Sequence, residues 1–445
     1  MEILASNVVS VAIVLGIMIV VHEFGHYAAA KWFGVRVEVF SVGFGARLAG
    51  FRRGETDYRI SAIPLGGYVK MAGENPMDEH TGDPGEFMSH PRWQRFIIAF
   101  AGPAMNILLA IGLLTGVYMV RYEHPMFLDQ PAVIGWVLEE SSAAQAGILA
   151  GDRIVRIEDI HNPTWEQVLP KVLLSPNQPL EISIQRGDQV LEMTITPDAV
   201  GPSEIGSLGL LPDKPNVVTA VEPGLPAEQA GILVDDEIVA LNGNAMRSMP
   251  ALQRYLQDNK SKPVEVTVVR SSHQMKFTMS PVKTELEGEK FYRIGIMSDP
   301  QHVDTLPFVA ALAKSLEQNR KNSLLIVELM KRLVARKVSL RQIDGPIGIA
   351  GAAGAAARRE GWTPLLALMA AISLNLGIFN LFPIPILDGG VIMLLTIEGL
   401  MRRDISLVIK ERIYQAAFVF LILFAAVVIY NDIAKTLPGL TKYVP

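Results

Sequence analysis

The chain has 445 residues, of which 50% are hydrophobic, with a mean hydropathy of +0.29 and a formal net charge of −5. It is too long for one ordinary domain. Its hydropathy indicates a membrane protein with a sizeable aqueous portion, and its acidic balance excludes the broad basic surface that a nucleic-acid partner requires. Cysteine is absent, so there is neither a disulfide framework nor a thiolate metal site, and any metal must be held by His, Asp and Glu.

The first element, residues 1–31, reads as a membrane-spanning helix. Val8 to Val21 is almost wholly apolar and the apolar character resumes at Tyr27. His22-Glu23-Phe24-Gly25-His26 sits inside this stretch. Residues four apart share a helix face, so His22 and His26 can offer two imidazole nitrogens to one metal ion, with Glu23 beside them as a base. This is the H-E-x-x-H signature of zinc metalloproteases. Ionisable groups in a spanning helix cost roughly 2.5–3.5 kcal/mol each at its centre, which argues against an ornamental role. Interfacial histidines bonded to headgroups or neighbouring helices are the bland alternative. The segment is not expected to be a signal peptide, because its start lacks a basic region and its apolar stretch is too long.

Residues 32–95 form a Gly-rich region. Val35 to Val42 and Tyr58 to Ile63 alternate as strands do, with glycines at Gly43, Gly45, Gly50, Gly54, Gly66 and Gly67 between and around them. A small antiparallel sheet is expected, packed on the ends of the membrane helices. It either offers an edge to an extended peptide or simply caps the bundle. Residues 96–120 form the second apolar segment, long enough to approach the roughly 20 residues of a span.

Residues 121–300 lack such a segment and contain an internal repeat. Ala146 to Val155 (AGILAGDRIV) matches Ala230 to Val239 (AGILVDDEIV) at seven of ten positions, with an offset of 84 residues from Gly147 to Gly231. That offset is the size of one small β domain. Leu241-Asn242-Gly243 adds a hairpin turn in the second copy. The boundaries are placed at 121–214 and 215–300. The repeat resembles two tandem PDZ domains, which add a peptide strand to a sheet edge; the pair serves either that purpose or as a spacer or size gate. Residues 301–362 then supply an amphipathic helical region, apolar on one face and basic on the other over Ser323 to Lys337. It lies either on a membrane surface or on the neighbouring domain.

The third apolar segment, 363–400, is longer than one crossing needs. It is interrupted by Asn380-Leu381-Phe382-Pro383-Ile384-Pro385-Ile386-Leu387-Asp388-Gly389-Gly390. Two prolines end a helix and two glycines permit a sharp turn. Irregular backbone at membrane depth is tolerated only in protein or along a wet cavity. Asp388 in that break needs a cation, and the two histidines need a third ligand. Residues 401–445 hold the fourth span and a tail. Nine Lys and Arg residues from Lys31 to Arg95, together with Arg402, Arg403, Lys410 and Arg412 after span three, place those loops in the cytoplasm. Both termini and the large insert then lie outside. The resulting fold class is a polytopic α-helical membrane protein with four transmembrane helices, a small membrane-associated β-sheet and two tandem extracytoplasmic PDZ-like domains.

Taken together, HEFGH, Gly43-Phe44-Gly45, Ala101 to Asn106 (AGPAMN), the repeat and N-x-x-P-x-P-x-L-D-G make the chain similar, over essentially its whole length, to the site-2 protease family of intramembrane zinc metalloproteases. The resemblance is greatest to the family's bacterial, sigma-E-regulating branch. It implies His22, His26 and Asp388 as ligands of Zn2+ and Glu23 as catalytic base. It also implies substrate contacts at Asn380 and, in the Gly-rich sheet, at Gly43, Phe44 and Gly45. The implied substrates are single-pass membrane proteins such as anti-sigma factors, and remnant signal peptides, within the lipid bilayer of a bacterial inner membrane. Val391, where many relatives carry His or Arg, departs from the pattern without touching the ligand set. Two other readings are weaker. A scaffold would have no use for His22, Glu23, His26 and Asp388 together. A transporter built on a broken helix would not need H-E-x-x-H.

Overall fold

The computed structural model describes residues 2–75, 81–286, 289–298, 301–343, 345–358 and 361–436. The chain divides into two compact units, one of residues 1–122, 304–331 and 343–445, the other of 123–303 and 332–342.

In the first unit α1 runs Glu2–Phe33. It stops because Gly34 adopts φ +83°, donating its amide to Lys31 while Val35 donates to Ala30. This is the Schellman pattern, and buried Val35 packs back over buried Ala30. Strands β1 (Val37–Arg53) and β2 (Thr56–Met71) follow and pair antiparallel. Each folds back on itself, for Val39 faces both Lys70 and Asp57, and Tyr58 faces both Phe40 and Phe51. The two strands expected over Val35 to Val42 and Tyr58 to Ile63 are therefore parts of longer ones, bent at the glycines. Among the described residues, segment 67–71 has 37–42 as its strand neighbour on one side. A core of Ala30, Val35, Val37, Met71, Phe87 and Ile98 ties this sheet to α1 and to α2 (Arg92–Val120).

Helix α3 spans Phe308–Val334 and α4 spans Pro346–Arg358. The amphipathic pattern marked only the later part of α3; its first turns are buried at Ala311 and Ser315, and Ser315 Oγ donates to Ile111 O of α2 at 2.9 Å. The broken segment resolves into α5 (Thr363–Asn380) and α6 (Asp388–Met401), and α7 spans Leu407–Thr436. Asp432 of α7 accepts the amides of Gly345, Ile347 and Gly348 at 2.9–3.1 Å, giving the orphan donors at the start of α4 an anionic partner. Val14, Met18 and Met369 form a further buried cluster, on which Leu109, Leu113 and Leu366 pack. Among the described residues, helices covering Arg92–Val120, Thr363–Asn380 and Leu407–Lys435 are long and apolar enough to cross a membrane. Helix α1 has 32 residues, about 48 Å of helix.

The second unit contains two separate cores, one around Ile134, Ile154, Trp165 and Ile184, the other around Val218, Ile238, Leu252 and Val266. In the first, strands Arg153–Ile157, Leu180–Arg186 and Gln189–Ile195 lie in that order; in the second, Glu237–Leu241, Val264–Arg270 and His273–Met279 do. The Asn242-Gly243 turn has φ +47° and +78°, as a two-residue hairpin turn requires.

The repeated residues explain the repeated fold. Asp152 takes Arg186 Nε and Nη2 at 2.8 and 2.7 Å and the Leu149 amide, and Arg186 also bonds Gly147 O. Asp236, Arg270, Leu233 and Gly231 reproduce the arrangement in the second copy. Burial works against ionisation of Asp236, but the Arg270 fork and the Leu233 amide outweigh it and hold the carboxyl below its ordinary value. With the folded-state pKa depressed, the stabilisation is present above the unfolded value near 3.9 and lost as pH falls through the folded one. Asp236→Asn is expected to cost about 2 kcal/mol at pH 7, a deficit that shrinks below about pH 4. Thermal unfolding followed as a function of pH checks this.

Candidate active site

The site depends on how closely α2 approaches α1. A Cβ on Gly25 would lie 2.3 Å from Ala101 O, and one on Gly102 would lie 2.2 Å from His26 Nε2. On the other side of α2, Ser373 Oγ of α5 donates to Asn106 O at 2.8 Å, and Gly377 lies against Pro103 O. The break after α5 is equally tight. Cβ atoms on Gly389 and Gly390 would fall 2.2–2.3 Å from the carbonyls of residues 381, 382 and 384. The first residue of α6, Asp388, is thereby turned back towards α1.

The outcome is a convergence of three side chains. His22 Nε2 lies 3.2 Å from Asp388 Oδ2, His26 Nε2 lies 3.4 Å from Asp388 Oδ1, and the two Nε2 atoms are 3.2 Å apart. His26 Nδ1 donates to Ile98 O at 2.8 Å, which leaves its Nε2 as a lone pair. His22 Nδ1 lies 3.2 Å from Asn106 Nδ2, while Asn106 Oδ1, fully buried, has no partner. A half-turn of that amide exchanges its O and N. Oδ1 then accepts the His22 Nδ1 proton, and the second Nε2 is also bared. Two imidazole lone pairs and a carboxylate this close repel one another without a cation between them. Their separations match the edge of a zinc tetrahedron, about 3.3 Å for bonds near 2.0–2.1 Å, so the residues present fit the metal.

Glu23 is held from the sheet side: its Oε2 accepts the Val69 amide at 3.0 Å. His22, Glu23, His26, Asn380 and Asp388 line one cavity of about 450 Å3, together with Tyr68, Val69 and Glu74. Asn380 Nδ2 stands 3.5 Å from His22 Nε2. Gly43, Phe44 and Gly45 are not in the cavity wall. Gly43 and Gly45 take φ +91° and +86° where β1 bends, and half-exposed Phe44 stacks on Tyr68, which does line the cavity. Glu74 accepts the Met71 amide at 3.1 Å, and burial pushes its carboxyl above the ordinary value.

Sequence reasoning assigned no role to Asn106, Tyr68, Val69 or Glu74. Asn106 carried a signal, being a polar side chain inside an apolar span. Val69 carried none, since it contributes only a backbone amide. Asn106→Ala is expected to weaken metal binding about 10–100-fold by freeing the His22 ring, whereas Asn106→Asp, which keeps an acceptor, should retain most of it. Competition with a chelator reads both.

Residues 10–424 match the family model described as Peptidase family M50. The chain is 31% identical to Regulator of sigma-E protease RseP of Salmonella typhimurium, with 96% of this chain and 98% of that one covered. It is 32% identical to Protease RseP of Yersinia pestis, over 95% and 97% of the two chains. It is 30% identical to Regulator of sigma-E protease RseP of Escherichia coli K12, over 96% and 98%. On the family match and on these relatives, the chain belongs to peptidase family M50, the site-2 proteases, and is a zinc-dependent metalloprotease.

Proposed function

We propose that this protein hydrolyses peptide bonds within the transmembrane segments of single-pass membrane proteins, with His22, His26 and Asp388 as zinc ligands and Glu23 as catalytic base. The observation that carries the reading is the convergence of His22 Nε2, His26 Nε2 and the Asp388 carboxylate within 3.4 Å beside Glu23, in a unit whose described residues include three helices long and apolar enough to cross a membrane. Anti-sigma-factor-like proteins and remnant signal peptides are the proposed substrates, in line with the sigma-E regulation named for the relatives. The setting is a bacterial inner membrane. Four spans, at 1–31, 96–120, 363–400 and 401–445, cross it, with both termini outside and the site towards the cytoplasmic half, as loop charge requires.

Zinc supplies Lewis-acid polarisation of a carbonyl and lowers the pKa of water towards about 7. The rest falls to the chain's own residues. Glu23, oriented by the Val69 amide, takes a proton from the attacking water and returns it to the leaving amine. A helical substrate hides its amides and has to be unwound first. Segment 67–71, paired with 37–42, is the strand proposed to receive it, the substrate backbone replacing Glu23 and Glu74 on the outward amides of Val69 and Met71. Asn380 supplies a side-chain amide for the substrate backbone, and the bend at Gly43, Phe44 and Gly45 shapes the wall through Tyr68. The units at 121–214 and 215–300 are read as PDZ domains that screen substrates, supported by their shared strand order and matching Asp–Arg pairs.

Purified protein assayed on a model membrane-spanning peptide, with metal analysis alongside, tests the assignment. Glu23→Gln should keep its zinc and lose at least about 100-fold in turnover; near wild-type cleavage would sink the base. Asp388→Asn should lose its metal, and full zinc retention would remove Asp388 from the ligand set.

A further inference from the structure

We propose that Arg95 forms a carboxylate-binding subsite in the catalytic cavity, a reading that deepens the proteolytic one and rests on it. The argument begins with the charges near the start of α2. Lys410 Nζ pairs with Glu398 Oε1 at 2.6 Å, both buried, and Glu398 also accepts the Ile405 amide at 3.0 Å. Arg92 pairs with Asp404 at 2.7 Å. Both carboxylates are bonded at contact distance by other cations, and they act on Arg95 only through space. Arg95 is only 7% exposed, donates Nη1 to Met88 Sδ at 3.2 Å, and has a buried Nε with no partner. Among the described residues it makes no ion pair. A guanidinium held out of water with a thioether as its bonded partner is an expensive arrangement unless a ligand completes it.

The position is suited to such a ligand. Arg95, Ile98 and Ala99 line the same cavity as His22, Glu23, His26 and Asp388. Ile98 is the residue whose carbonyl holds His26, and Arg95 precedes it by one turn on the same face, about 4.5 Å along the helix axis. An extended peptide rises about 3.3 Å per residue, so a chain leaving the reacting centre meets Arg95 within its next few residues.

Hydrolysis of a peptide bond breaks the C–N bond, adds hydroxyl to the acyl carbon and a proton to the nitrogen, and leaves a carboxylate where an uncharged amide stood. The planar guanidinium fork matches a carboxylate with two parallel bonds, whereas an intact peptide bond offers it no charge. Arg95 therefore receives the new C-terminus of the product once that end has moved from the reacting centre, where the carboxylate forms, along the cavity wall. An Asp or Glu side chain of the substrate presents the same chemistry, and the experiment separates the two sources.

The full-length protein carrying Glu23→Gln, so that nothing turns over, is loaded in detergent micelles with a fluorescent apolar peptide. That peptide is displaced by apolar peptides ending in a free carboxylate, by their C-terminal amides, and by an amidated pair bearing internal Glu or Gln. The acid should bind roughly tenfold or more tightly than the amide. Arg95→Gln should abolish that preference at unchanged zinc content, and Arg95→Lys should keep part of it. A preference for internal Glu over Gln that also vanishes in Arg95→Gln assigns the subsite to a substrate side chain. Equal binding of acid and amide with no Glu preference, or a preference surviving Arg95→Gln, overturns the proposal. If Arg95→Gln does not fold, the acid–amide contrast in the Arg95 protein and its reduction in the Lys variant still decide. Failure of the proteolytic reading would show separately, as an uncleaved peptide with the unsubstituted chain.

Discussion

The close approach of α1 to α2 at Gly25 and Gly102 is the constraint on which the site depends. Neither position has space for a Cβ, because Ala101 O and His26 Nε2 already fill it. That contact brings Ile98 O to His26 and the Asn106 amide to His22. A helix pair one methyl group further apart would still cross an apolar layer. It would no longer fix which nitrogen of each imidazole is free, and a metal site depends on that choice as much as on the ligands themselves.

A second theme is how polar groups are satisfied inside an apolar bundle. Ser315 bonds a carbonyl of α2, Ser373 another, Asp432 caps α4, and Lys410 pairs with Glu398. Each has a partner from a different part of the chain, as low dielectric demands. The exceptions stand out against this background. His22, His26 and Asp388 converge on one point with their ligand atoms facing one another, and among the described residues Arg95 makes no ion pair. Both lie on the wall of one cavity.

The second unit was the most legible part of the fold. The A-G-I-L and acidic-turn motif recurs 84 residues on, from Gly147 to Gly231, and in each of the two cores it closes the same local structure around an aspartate. The partner of that aspartate was not visible in the same way. Arg186 and Arg270 lie 34 residues further on, and only the pairing of strands brings them to Asp152 and Asp236. In the Gly-rich region the alternation marked strands, but their length and the bend at Gly43 followed from glycine positions that sequence could only read as punctuation.

By itself the sequence determined the elements that local chemistry fixes. His22 and His26 share a helix face because they are four apart, prolines at 383 and 385 end α5, and runs of apolar residues demand an apolar surrounding. It also pointed to Asp388, because an aspartate in a broken apolar segment needs a partner of opposite charge. Only the tertiary structure decided what surrounds these residues. The Val69 amide on Glu23 and the amide of Asn106 on His22 are relations between groups distant in sequence. Such relations depend on helix packing distances of a few tenths of an ångström, which residue spacing does not encode.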